Sequence, residues 1–107
     1  MKAKRTQGAL PGAELVEQGL VDLSKNRVTD LALLVLIAGP QLRRLGIEIP
    51  IVSFPKPYEH GLYSRLDQRL GAGAHSHYNS LIRRIVSYAR ALEREQSLAL
   101  QVPAPEA

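Results

Sequence analysis

The sequence predicts an all-α protein, a compact bundle of four to five helices with one extended, proline-containing connector over residues 47–57. Three observations predict it. Apolar residues recur mostly at i, i+3, i+4 and i+7, the period of a helix with one buried face. Glycine and proline cluster between those runs, where helices start and stop. The chain has 107 residues and no cysteine, so one core, large enough to bury roughly two-thirds of the unfolded surface, stands in place of disulfides or thiolate metal sites.

Pro11 and Gly12 open the first helix, with Leu15, Val16, Leu20 and Leu23 as its buried stripe and Glu14, Glu17, Gln18, Asp22 and Lys25 outside. Gly19 weakens it by up to about 1 kcal/mol unless a neighbouring helix packs close at that point. Asn26 is a suitable stop for this helix or N-cap for the next. The second element, "RVTDLALLVLIAGPQLRRLGI", places Asp30 at a helix start and then turns apolar on every side. A buried strand would show the same lack of periodicity, but Leu and Ala dominate, which favours helix. Such an element belongs in the middle of a core or in a subunit interface. Pro40 after Gly39 ends or kinks it, and "PQLRRLG" is a further short helical stretch closed by Gly46.

The stretch "IEIPIVSFPKP" alternates β-branched residues, but Pro50 removes a backbone donor from its middle. It is therefore an edge strand at most, and reads better as an extended connector packed on the helices. Pro57 suits the first position of a third long helix, with Tyr58, Leu62, Tyr63, Leu66 and Leu70 on one face and Gly71 and Gly73 at its end. The last helix starts near His75 or Ser76 and runs to about Leu98, with Tyr78, Leu81, Ile82, Ile85, Val86, Ala89 and Leu92 inward. Residues 1–10 form a flexible basic tail, 11–100 one helical domain, and 101–107 a frayed tail.

The net charge is +4, and its distribution matters more than its size. Lys2, Lys4 and Arg5 make the start basic, whereas residues 11–39 carry two basic against four acidic side chains. Residues 40–94 carry nine basic against four acidic. Such asymmetry suits a polyanion, or contacts between halves or between subunits. The longest apolar run, Leu31–Ala38, has eight residues, against about 20 for a membrane span. The basic start runs into polar residues instead of an apolar leader. A soluble cytoplasmic protein without membrane contact is expected.

Two constellations are candidates for binding. On the last helix Arg83, Arg90 and Arg94 fall opposite the apolar stripe with Arg84 beside them, a basic outer face for a nucleic acid or an acidic protein. Ahead of it, "RLGAGAHSHYN" leads glycines into a helix start, where Arg69, His75 and His77 would surround an anion held on free backbone N–H groups, although the lysine and hydroxyl residue of a true phosphate loop are missing. His75 and His77 lie two apart, about 200° on a helix, so no metal site is expected. No nucleophile or tuned acid–base pair assembles, and no catalytic residue, cofactor or small-molecule ligand is expected.

The expected function is that of a small non-enzymatic interaction protein working through protein contacts and self-association. Its homo-oligomer interface would use Leu33, Leu34, Leu36 and Ile37 of the all-apolar second helix. The alternative is a nucleic-acid-binding accessory protein using the arginine face, joined by Arg43, Arg44 and the basic start.

Overall fold

The computed structural model of the chain describes residues 10–101. They form five α-helices: α1 (Ala13–Ser24), α2 (Asp30–Ile37), α3 (Gly39–Arg44), α4 (Tyr58–Leu70) and α5 (Ala74–Gln101), with a 3₁₀ turn at Gly71–Gly73 between the last two. Among the described residues there is no strand. The two expected tails lie outside the described residues, apart from Leu10 and Gln101.

Helix α1 begins at a glycine because the backbone demands one. Gly12 has φ of 79°, and a Cβ on it would sit 2.8 Å from the carbonyl oxygen of Arg84 in α5, so α1 and α5 meet there backbone to backbone. Gly19 plays the same part toward α2: a Cβ would lie 2.5 Å from Val35 Cγ2 and 2.6 Å from the Leu31 carbonyl oxygen. The close neighbour that justifies a glycine inside a helix is therefore present. Asn26 stops the helix in the left-handed region, with φ of 57°.

The α1–α2 corner corrects one expectation. Asp22, read as outward, is only 7% exposed. It can be buried because its carboxylate accepts hydrogen bonds from the Thr29 hydroxyl at 2.7 Å and the Gln18 amide at 3.0 Å. The same Thr29 oxygen accepts from the Ala32 N–H at 3.1 Å, which makes Thr29 the N-cap of α2, a role that contributes about 1 kcal/mol. Asp30 follows as the first helical residue.

Helix α2 is the centre of the molecule, packed against α1, α4 and α5. Ala32, Leu33, Leu34, Val35 and Leu36 are all buried. After Gly39 and Pro40 the short α3 buries Leu42 and closes on Gly46, whose φ is 93°. There the Gly46 N–H donates to the Arg43 carbonyl and the Ile47 N–H to the Leu42 carbonyl, both at 3.0 Å, the pattern of a glycine-terminated helix. Residues 47–57 then run extended over the core, with Ile49 buried, Val52 and Phe54 half-buried and Ile51 outward. The alternation of Ile47, Ile49 and Ile51 does not carry through: it breaks at Pro50, Ile51 is 95% exposed, and the covered positions shift to Val52 and Phe54.

Helix α4 buries Leu62 and Leu66 but leaves Tyr63 and Leu70 exposed, so its apolar face is narrower than expected. It lies between α2 and α5, and Tyr63 sits at the edge of that contact. In α5 the seam of Leu81, Ile85 and Ala89 is buried as expected, and Leu92 half-buried. Val86, expected inward, is exposed, and Tyr88, not singled out, is buried against the α1 start. Beyond Leu92 the described side chains of α5 are exposed, tied back by Gln96 Nε2 donating to the Leu45 carbonyl at 2.6 Å.

Candidate anion-binding face

At 100° per residue, Arg83, Arg90 and Arg94 lie within about 40° of one another on the side of α5 opposite the Leu81–Ile85–Ala89 seam. All three are exposed. Among the described residues none of them makes an ion pair. With a rise of about 1.5 Å per residue the stripe is about 16 Å long. Arg90 and Arg94, four apart, repel each other. Arg84 stands about 100° aside from Arg83 and its Nη2 donates to Glu14 Oε2 of α1 at 3.0 Å. Both partners are half-exposed or more, so the pair is weak.

Two concavities flank the stripe. A groove of about 480 Å³ runs beside Arg90 and Arg94, with Leu10 and Leu98 as its apolar walls. Residues 1–9, with Lys2, Lys4 and Arg5, join the described chain at this Leu10. A cleft of about 310 Å³ lies between Pro11 and Gly12 on one side and Ser80, Arg83, Arg84 and Ser87 on the other.

The other expected contacts are not brought to this face. Arg69 is committed to structure: together with Arg65 it clamps Asp30 at the start of α2, Arg65 Nε lying 2.9 Å from Asp30 Oδ1 and Arg69 Nη2 bonding Oδ2. Burial pushes the Asp30 carboxyl up, but the hydrogen bonds and charges of Arg69 and Arg65 outweigh it and hold the group below the ordinary carboxylate value. His75 and His77 sit in the first turn of α5, not on a loop, because α5 begins at Ala74, which is fully buried. The His75 ring packs at 6.4 Å from Tyr63 and its Nε2 is 3.1 Å from Asn79 Nδ2. His77 faces a shallow surface hollow with Leu70 and Ser80. Arg43 lines a different groove, with Leu36, Lys56 and Tyr58.

The expected self-association residues need correction too. Leu33, Leu34 and Leu36 are 3%, 0% and 6% exposed inside a single chain, and Ile37 is half-buried against the same core. Helices α1, α4 and α5 pack against α2 within one chain, so Leu33, Leu34 and Leu36 expose little surface, while Ile37 stays partly exposed beside a groove it shares with Pro40 and Tyr58. Among the described residues no three His, Asp or Glu side chains gather in a way that would hold a metal ion, and no helix is long and apolar enough to cross a membrane.

Sequence reasoning overlooked Tyr88, although it lies seven residues after Leu81 and three after Ile85, the spacing of the same seam. Burial raises its phenol pKa, helped by the charges of Glu17 and Glu95. No local signal pointed to the Asp30 clamp or to the Glu14–Arg84 pair. Known protein families, curated proteins and solved structures offer no significant match to this chain.

Proposed function

We propose that this protein is a non-enzymatic binding module whose partner is a nucleic acid, gripped through its phosphates by the outer face of α5. One observation carries the reading: Arg83, Arg90 and Arg94 stand on one exposed stripe, without an ion pair among the described residues, where two of them repel each other. A polyanion relieves that repulsion and releases its own counterions in doing so. The 16 Å stripe, about five base-pair steps long, fits several consecutive phosphates. The reading that begins from self-association loses its motive with α2 enclosed by its own chain.

The test is a fluorescence anisotropy titration of a short duplex at several salt concentrations. Binding at low salt should weaken as salt rises with a log–log slope of about −2.7 or steeper, three contacts at about −0.9 each. The slope should become shallower by about 2.7 in the triple variant Arg83→Gln, Arg90→Gln, Arg94→Gln. A wild-type chain that binds no duplex at low salt overturns the proposal.

A further inference from the structure

We infer that the cleft between the start of α1 and the middle of α5 seats one phosphate group. The inference rests on α5 being the binding helix and assigns one phosphate of the bound partner a place on it. Ser80 and Ser87 are seven residues apart, about 20° on the helix, so their hydroxyls share one line along the cleft. Arg83 and Arg84 rise about 40–60° to either side of that line. The opposite wall is Pro11 and Gly12. It approaches closely because Gly12 has no side chain to hold α1 off: a Cβ there would lie 2.8 Å from the Arg84 carbonyl oxygen and 3.3 Å from Tyr88 Cβ.

Ser80 and Ser87 lie about 10 Å apart along the axis, so one phosphate reaches one of the two hydroxyls; with Arg83 and Arg84 on either side of it, those donors match a tetrahedral anion with several oxygens better than a planar carboxylate with two. Arg84 keeps donors for it, since only one of its nitrogens is bonded to Glu14. The cleft, at about 310 Å³, is larger than a single phosphate, so the group enters still attached to the rest of its ligand. Glu14 works against the site: its carboxylate offsets part of the Arg84 charge and repels an anion.

The probe is inorganic phosphate titrated into the full chain, with chloride matched for ionic strength, and the backbone amides followed by NMR. Saturable shifts are expected at Gly12, Ser80, Arg83, Arg84 and Ser87. Arg83→Gln should weaken phosphate about tenfold, the loss of one charge-assisted pair. Glu14→Gln should tighten it about threefold by removing the competing carboxylate, a gain that damage to the fold does not produce. Arg94→Gln should leave it unchanged while weakening duplex binding. Shifts that do not saturate, that saturate at the same phosphate concentration in Arg83→Gln as in the wild type, or that weaken in Glu14→Gln overturn the inference. Phosphate binding without duplex binding would sink the nucleic-acid reading and keep the cleft; duplex binding without phosphate shifts would do the reverse. A duplex carrying a 5′-phosphate that binds tighter than its 5′-hydroxyl twin, with the difference lost in Ser87→Ala, marks the occupant as a terminal phosphate; equal binding marks it as an internal diester.

Discussion

Helix α2 and helix α5 treat their surroundings in opposite ways. Five of the eight residues of α2 are buried, on all sides of the helix, whereas α5 runs for 28 residues with one buried seam and its remaining surface open. From sequence α2 looks the more adhesive of the two. In the fold its apolar surface is covered by α1, α4 and one seam of α5, and the rest of α5 is left to face the outside with unpaired charge. Apolarity all round a helix therefore reports how many neighbours it has, and says nothing of whether those neighbours belong to another chain.

The largest effect that would break this contrast is in the core. Leu34→Ala, at a side chain with no exposure, should cost about 2–5 kcal/mol, read as a lower urea midpoint with the slope unchanged. A cost under about 1 kcal/mol would mean that α2 is not enclosed. Ile85→Ala in the α5 seam, 2% exposed, should fall in the same range.

Next comes the α1–α2 contact. Gly19→Ala adds a methyl group that the Val35 side chain and the Leu31 carbonyl leave no room for. The overpacking, about 1–3 kcal/mol, should exceed the gain of up to about 1 kcal/mol in helix propensity. A thermal melt showing net stabilisation would place the two helices farther apart than they are.

A smaller effect is expected at the Asp30 clamp, and it depends on pH. The carboxyl is held below its ordinary value of 3.8 in the fold, so its contribution is fully present above that value and is lost as pH falls through the lowered one. Both guanidiniums are well exposed, at 38% and 50%, which keeps the contribution under about 1 kcal/mol. Asp30→Asn should lower stability at neutral pH and approach wild type under strong acid. A difference independent of pH would assign the loss to helix capping or packing instead.

The smallest effect sharpens the comparison from the α5 side. Arg90→Ala should change stability by less than about 0.5 kcal/mol and reduce the salt slope of duplex binding by about 0.9. Unfolding of this variant would show the arginine to be part of the core contact, and the outer face of α5 would lose its distinct character.

Much of this was legible beforehand because it is local. Gly46 marks a stop and Asn26 a stop or a cap, and both adopt positive φ, Asn26 as the stop while Thr29 caps α2; Pro50 within an alternating stretch points to a connector over residues 47–57 ahead of an edge strand. The arginine stripe followed from spacing alone. Other features resisted for a physical reason. Tyr63 and Leu70 have the period of a buried face, but a period does not fix how wide the neighbouring contact is, and the docking of α4 against α5 leaves both exposed. Asp22 is charged and was placed outside; only a threonine seven residues on and a glutamine four residues back, both turned toward it, make its burial tolerable.

What the amino-acid sequence determined by itself is the helical class, the order of the elements, their stops and the polarity of each face, since these depend on side chains within a turn or two of one another. What only the tertiary structure decided is which of those faces meet and which charges remain free. Asp30 meets Arg65 and Arg69 at separations of 35 and 39 residues, and Glu14 meets Arg84 at 70. Such pairings carry no periodic signature, because Coulomb and hydrogen-bond energies depend on distance in space, and distance in space is set when the helices dock.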